Sequence, residues 1–267
     1  EASDDIGGQF NMARKVPGKE EFDETIRYYR KQIELSGVAL KLNTRADVDS
    51  LKGFDEVIVA TGVTPRKIGL PGIDHPKVLS YVDVLQDGVE VGDKVAVIGA
   101  GGIGFDVAEF LAHHGTSPSL DVNQYMTEWG VDLKNEARGG LIEAVIPKPA
   151  RQITLLQRSQ GKLGAGLGKT TGWIHRSSLK RLQVEMLAGV SYQKIDDQGL
   201  HIEVDGQPRV LDVDHIVVCA GQVERKDLYG LLRDAGTQVH VIGGADLAAE
   251  LDAKRAIDQG ARLAARL

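Results

Sequence analysis

Val95-Ala96-Val97-Ile98-Gly99-Ala100-Gly101-Gly102-Ile103-Gly104-Phe105-Asp106-Val107-Ala108 is the stretch whose reading decides the fold. Its pattern predicts a buried β-strand over Lys94–Ile98, a glycine turn, and a helix running to about His113. Gly99, Gly101 and Gly104 stand at the G-x-G-x-x-G spacing of a dinucleotide-binding turn. A side chain would spoil each position for a different reason. Gly99 lets the strand turn sharply, Gly101 lets the backbone approach a pyrophosphate, and Gly104 lets the helix pack against the strand. The free N–H groups of the first helical turn, Gly102 and Ile103 among them, then face the phosphates together with the positive end of the helix dipole. Ala108, one turn further on, is small enough to keep that packing tight. The competing explanation is a tight turn of purely structural use; strand, turn and helix agreeing in one place favours the nucleotide site.

The composition sets bounds around this motif. A chain of 267 residues has room for one large domain or two ordinary ones. No apolar run approaches the roughly 20 residues that a membrane span needs. A net charge of −6 with scattered basic residues argues against nucleic acid or an anionic membrane as the main partner. The single cysteine, Cys219, excludes an internal disulfide and any all-cysteine metal or iron–sulfur site within these residues. It lies in the apolar run Ile216-Val217-Val218-Cys219-Ala220, as a buried structural thiol would. No signal-peptide pattern is visible, so a reducing cytoplasm is the default expectation. The chain opens abruptly, without Met and without a strand before Phe10, as a piece cut from something longer would.

Outward from the motif, the periodicity predicts an amphipathic helix over 20–35 stopped by Gly37, a short strand over 38–42, and a buried strand over 55–62 ending in a Thr-Gly turn. Pro65, Pro71, Gly72 and Pro76 mark a loop or linker, followed by a short helix near Tyr81–Leu85. Beyond the motif helix, residues 115–151 lose any clean period and read as an insertion with one helix around Val122–Trp129. A strand over 152–157, a glycine-rich loop over 161–172 and a helix over 173–182 come next. Apolar segments at 184–187, 190–195, 200–204 and 210–213, joined by Asp-Gln-Gly and Asp-Gly turns, read as an antiparallel meander. A buried strand over 215–220, a strand over 238–242 and a helix over 250–266 complete the chain. Strands alternating with helices make this an α/β protein with parallel sheet.

The strand-to-glycine ending recurs at Ala60-Thr61-Gly62, Cys219-Ala220-Gly221 and Ile242-Gly243-Gly244, although one doubly wound domain needs only one binding turn. The simplest layout is therefore two Rossmann-like dinucleotide-binding domains, an inner one over 90–221 inserted in an outer one made of 1–89 and 222–267.

Four segments carry a resemblance: Glu1-Ala2-Ser3-Asp4-Asp5-Ile6-Gly7-Gly8-Gln9-Phe10-Asn11, Gly166-Leu167-Gly168-Lys169-Thr170-Thr171-Gly172-Trp173-Ile174-His175-Arg176, Val190-Ser191-Tyr192-Gln193-Lys194-Ile195-Asp196-Asp197, and Gly243-Gly244-Ala245-Asp246 with Glu250-Leu251-Asp252-Ala253. On these the chain resembles the flavoproteins with tandem FAD and NAD(P)H domains, in which the second domain interrupts the first. Within them it is most similar to the C-terminal half of the bacterial NADPH-dependent 2,4-dienoyl-CoA reductases. Enzymes of the trimethylamine dehydrogenase type share the layout and resemble this chain less.

The resemblance implies an outer FAD-binding domain whose first strand and glycine fingerprint precede Glu1, and an inner NADPH-binding domain. It also implies a partner in the same enzyme: an N-terminal barrel carrying FMN, a 4Fe–4S cluster and the acyl-CoA pocket. The chain would then be the electron-input end of a cytoplasmic reductase of unsaturated fatty acid β-oxidation, where NADPH passes a hydride to FAD.

Under that resemblance Glu1 stands where a carboxylate meets the adenosine ribose, unless it is a frayed terminal acid. Gly7, Gly8 and Gln9 would let backbone and one amide reach the flavin, a plain turn being the competing reading. Thr61 and Gly62 would approach the FAD pyrophosphate and Asp246 a ribityl hydroxyl, with Gly221 and Gly244 at the other two glycine endings. For the inner domain, Gln157-Arg158-Ser159 places a guanidinium and no carboxylate where the second strand ends, which favours the 2′-phosphate of NADPH over NADH and over a merely solvated Arg. Lys169, in a mobile glycine-rich loop, is a candidate phosphate contact. That loop is not a P-loop, because Leu163 stands where G-x-x-x-x-G-K-[ST] needs glycine. His175 reads as a surface or packing histidine, and no nucleophile-elbow motif supports Ser/His/Asp chemistry. Two rivals remain at this point: a non-catalytic ADP- or FAD-holding module, and a disulfide reductase, which would need the cysteine pair this chain lacks.

Overall fold

Lys94–Ile98 and Gln152–Leu156 share one pattern, a single exposed polar residue followed by four buried ones. That pattern belongs to strands covered on both faces, as in a parallel sheet. In the computed structural model, which describes residues 1–249 and 252–267, both lie at the centre of such a sheet.

The elements in chain order are α1 (Phe10–Ala13), α2 (Phe22–Leu35), β1 (Val57–Val59), β2 (Val63–Pro65), β3 (Val78–Ser80), α3 (Tyr81–Leu85), β4 (Lys94–Ile98) and α4 (Gly102–Ala112). They continue with α5 (Val122–Trp129), β5 (Gln152–Leu156), α6 (Gly172–Arg181), β6 (Glu185–Leu187), β7 (Ser191–Asp196), β8 (Gly199–Val204) and β9 (Gln207–Leu211). The last are β10 (His215–Val218), β11 (Gln222–Glu224), α7 (Asp227–Asp234), β12 (Val239–Val241) and α8 (Ala253–Ala264). They divide into two units: Glu1–Gly8, Glu24–Arg66 and Gly221–Leu267 in the first, and Gln9–Asp23 with Lys67–Ala220 in the second.

The second unit is built on the sheet β3-β10-β4-β5-β6, every pair parallel. Alternation along the strands sends side chains to two different cores. Val95, Val97, Ile153, Leu155 and Val217 meet Phe105, Val107, Ala108 and Leu111 of α4 and Leu179 of α6. Ala96, Ile98, Leu156 and Ile216 face the other way, onto Ile195, Leu200, Ile202 and Leu211 of the antiparallel meander β7-β8-β9. Helices cover one face and the meander the other. Burying each large side chain in this way contributes about 1.5–3 kcal/mol.

The first unit has a smaller core. β1 and β12 pair in parallel, Val57 opposite Val239 and Val59 opposite Val241, and Val57, Val59, Leu232 and Ala245 pack with Leu228, Tyr229, Val48 and Leu51 around them. β2 and β11 form a separate antiparallel pair.

Several expectations change. The strand expected over 38–42 joins no sheet among the described residues. Val38 and Leu40 are exposed, and the chain there is held by the N-terminus instead, with Asn43 N–H donating to Ser3 O at 2.8 Å and Thr44 N–H to Glu1 O at 2.9 Å. The strand over 55–62 shortens to β1. Residues 184–187 leave the meander and become β6, the parallel edge beside β5, because α6 returns the chain in the same direction. The short β2, β3 and β11, together with α7, had no sequence signal strong enough to be expected. The terminal helix begins at Ala253, and Glu250 and Leu251 lie outside the described residues.

The unit boundaries also differ from those expected at 89/90 and 221/222. Residues 67–89 belong to the second unit, since Leu79 of β3 pairs with Val217 and Val84 and Leu85 of α3 enter the core beneath α4. Residues 9–23 go with it, carried by Met12.

The motif glycines are where this architecture is tightest. A methyl group on Gly104 would lie 1.7 Å from the carbonyl oxygen of Gly99, whereas one on Gly101 would meet nothing within 4 Å. Gly104→Ala is therefore expected to lower stability by about 3 kcal/mol or more, and Gly101→Ala to stay within about 1 kcal/mol of the parent. Urea unfolding midpoints of the two variants check the contrast.

Candidate dinucleotide-binding site

β4 is the strand from which the chain runs outward in one direction, through α4 to β5 and through α6 to β6, while β10 and β3 lie on its other side. In open α/β sheets the crevice at the carboxyl ends of strands flanking such a switch point is where ligands bind. Here that crevice is floored by Gly99 and Cys219, with Cys219 N–H donating to Ile98 O at 2.8 Å. Gly99 has φ +108°, a region L side chains rarely enter, and a Cβ there would sit 2.5 Å from Cys219 O. Its own N–H donates to Leu156 O at 2.9 Å, tying the turn to β5.

Gly101 caps α4 with φ −83° and ψ −172°, and no side chain takes the cap. The first turn of a helix leaves its N–H groups without intrahelical acceptors. Gly101 and Gly102 are exposed and a Cβ on either would meet nothing within 4 Å, so the end of α4 presents bare backbone. The glycines thus divide into two pairs. Gly99 and Gly104 are demanded by backbone packing, while Gly101 and Gly102 keep an open face over amides aimed outward. Such a cradle fits a dinucleotide diphosphate, whose anionic oxygens accept from those amides and sit at the positive end of the helix.

The next strand end carries cations. After β5 the backbone of Gln157 donates to Leu187 O at 2.9 Å and accepts from Val190 N–H at 3.0 Å, and Ser159 O accepts from Gly189 N–H at 3.1 Å. Pinned in this way, the turn leaves the Arg158 and Lys162 side chains exposed, with neither in an ion pair nor a hydrogen bond among the described residues. Ile98 and Leu156 are register partners, so this turn and the α4 cradle leave neighbouring strands at the same sheet end.

The loop expected to be mobile is anchored: Leu163 and Leu167 belong to the core under α4, and Gly164 O accepts from the Arg176 guanidinium at 3.1 Å. Lys169 lies exposed at its crest without a partner among the described residues. Residues 115–151 loop out as expected. Asp121 caps α5 and Gly130 ends it, and Arg181 lies 4.4 Å over the Trp129 ring.

Sequence reasoning missed the charges on the flank of α4. Lys19 Nζ holds both carboxylate oxygens of Asp106, at 2.6 and 2.7 Å. One turn on, burial pushes the Glu109 carboxyl up to about 7, the like charge of Asp106 adds to the rise, and Lys19 offsets part of it. His175 on α6 is pushed down by burial and by Lys19. A lysine distant in sequence marks none of this; only Asp106 and Glu109, three apart on one helix, were visible beforehand. Burial likewise pushes the Cys219 thiol up, which leaves it unreactive.

In the first unit, β1 and β12 deliver Thr61, Gly62, Gly244 and Asp246 to one end of a parallel pair. Thr61 Oγ1 donates to Arg225 O, and Arg225 N–H donates to Gly62 O at 3.0 Å. Gln259 on α8 ties the second ending together, accepting from Gly243 N–H at 2.6 Å and donating to Asp246 Oδ2 at 3.0 Å. Gly62, at φ +74°, and Gly8, at φ +49°, both face open space. Gly221 instead packs against the Arg66 guanidinium, 2.9 Å from where its Cβ would lie. Glu1 accepts from Ser3 N–H at 2.9 Å, which holds its carboxyl below the usual range. Gln9 precedes α1 in the second unit.

Residues 13–252 match the pyridine nucleotide-disulphide oxidoreductase family, and the chain belongs to it. This is a family of flavoprotein oxidoreductases that bind FAD and a nicotinamide dinucleotide. A metal reductase of Desulforamulus reducens is 26% identical over 251 residues, covering 92% of this chain and 36% of the relative. A cinnamate reductase of Clostridium sporogenes is 27% identical over 238 residues, covering 86% of this chain and 30% of the relative. Among solved structures, 2-naphthoyl-CoA reductase in complex with 2-naphthoyl-CoA superposes with a TM-score of 0.80 at 26% identity, covering 100% of this chain and 35% of that one. The chain spans about a third of the length of these relatives. No helix among the described residues is long and apolar enough to cross a membrane.

The raised Glu109 carboxyl makes a pH prediction. The folded protein holds this proton more tightly than the unfolded chain, so folding stability from this group falls as pH rises from about 4.5 to about 7 and stays low above. Glu109→Gln is expected to raise stability at pH 8 by on the order of 2 kcal/mol, with little change at pH 4. Chemical denaturation at both pH values measures it.

Proposed function

We propose that the second unit binds NADPH and the first binds FAD, and that the chain is the electron-input part of a larger reductase. One observation carries the reading: backbone packing requires Gly99 and Gly104, while Gly101 and Gly102 lie open at the start of α4. A turn of purely structural use would account for Gly99 and Gly104 and leave Gly101 and Gly102 free to bear side chains.

The roles of the chain's own groups follow. The amides of Gly101, Gly102 and Ile103 hold the diphosphate. Arg158 and Lys162 meet the 2′-phosphate, since no carboxylate at this strand end opposes it. Lys169 adds a cation from the anchored loop. In the first unit, Gly8, Thr61, Gly62, Gly244 and Asp246 line the FAD site, with Glu1 toward the adenosine ribose and Gly221 in support. When bound, reduced nicotinamide and flavin supply hydride chemistry, and the protein binds and orients them. Cys219 supplies no thiol–disulfide step, being buried and the chain's single cysteine.

For the whole enzyme, the proposed substrate is an unsaturated acyl thioester of the 2,4-dienoyl-CoA type, reduced in the cytoplasm by a partner domain that carries FMN and a 4Fe–4S cluster. The similarity to a cinnamate reductase and to 2-naphthoyl-CoA reductase supports a conjugated carboxylic substrate.

Two variants test the cofactor reading by calorimetric titration. Gly101→Val is expected to abolish measurable binding of NADPH and NADH alike without unfolding the protein. Arg158→Ala is expected to weaken NADPH tenfold to a hundredfold, in the range of a lost charge-assisted pair, and to leave NADH nearly unchanged. Equal losses for the two nucleotides would refute the 2′-phosphate role.

A further inference from the structure

The turn bearing Arg158 rests against a neighbour that the cofactor reading does not use. Gln157 and Ser159 are hydrogen-bonded to Leu187, Gly189 and Val190, and Gly189 comes so close to the next side chain that a Cβ there would lie 2.2 Å from Gln160 Nε2. Two residues further along is Tyr192 on β7. It pairs with Ile202, and the extra residue Gln193 of a β-bulge follows it. Bulges of this kind re-aim side chains and recur beside binding sites.

The Tyr192 ring packs against the core that holds Ile195, Leu200 and Ile202. Its hydroxyl is buried and has no hydrogen-bond partner among the described residues. Burial raises the phenol's pKa, so the group stays protonated, and the charge of Arg158 offsets part of the rise. A buried donor left unpaired destabilises the fold, and native proteins keep few of them.

We propose that Tyr192 is a specificity-determining residue of the same site, its hydroxyl donating to the 2′-phosphate that Arg158 binds. This rests on the NADPH reading of the second unit and adds to it. Arg158 contributes charge, and Tyr192 contributes a directed donor for which the anionic 2′-phosphate is a far stronger acceptor than the neutral 2′-hydroxyl of NADH or AMP. The unmet hydrogen bond in the ligand-free protein is then a feature of selectivity, stability being lower where the ligand will bind.

The test titrates adenosine 2′,5′-bisphosphate and 5′-AMP into the parent protein, Tyr192→Phe and Arg158→Ala. Tyr192→Phe keeps the ring and its packing. It is expected to weaken the bisphosphate about tenfold, to leave AMP unchanged, and to raise the ligand-free melting temperature. Unchanged bisphosphate affinity would overturn the proposal, as would equal weakening of both ligands, which marks a residue that only supports the turn. A lowered ligand-free melting temperature would show the hydroxyl already bonded and overturn it too. If Arg158→Ala selectively loses the bisphosphate while Tyr192→Phe does not, the role of Tyr192 alone falls. If neither variant discriminates, the 2′-phosphate reading falls with it.

Discussion

The carbonyl oxygen of Gly99 lies where a methyl group on Gly104 would have to go, 1.7 Å from the position of its Cβ. Much of the second unit depends on that approach. It brings the first turn of α4 down onto the end of β4, so that Phe105, Val107, Ala108 and Leu111 reach the sheet beneath. It also fixes the direction of the helix axis, and with it where the unpaired amides and the dipole end point. Packing and the aim of the helix's free amides are thus set by one backbone contact.

The sheet itself shows why this arrangement is stable. Its central strands bury both faces, and the two faces are covered by different kinds of structure. Helices α4 and α6 pack on one side, and the β7-β8-β9 meander on the other. A doubly wound domain normally has helices on both faces. Here the meander's inward residues, Ile195, Leu200, Ile202 and Leu211, serve in their place. The meander also brings the start of β7 beside the turn after β5, where Val190 N–H donates to Gln157 O at 3.0 Å.

The flank of α4 concentrates charge in a partly buried place. Lys19 binds Asp106 through both oxygens, and Glu109 one turn away is left half-desolvated beside a like charge. Ion pairs in such surroundings return little net stability once desolvation is counted. The Lys19–Asp106 pair adds a directed contact between α4 and residues 9–23, a segment that Met12 already anchors in the core.

The α/β class and the glycine turn were legible in the sequence, because each rests on local chemistry. A run of apolar β-branched residues or a glycine at fixed spacing needs no distant partner to be read. The fate of 38–42, the transfer of 184–187 from meander to parallel edge, and the short strands β2, β3 and β11 were decided only in three dimensions. Three or four apolar residues form a strand only if a neighbour offers hydrogen bonds, and the neighbour is far away in sequence. The same holds for Glu109 and Tyr192. Their residue types are ordinary, and what makes them chemically unusual is burial beside Asp106 and Arg158, which the tertiary structure alone creates.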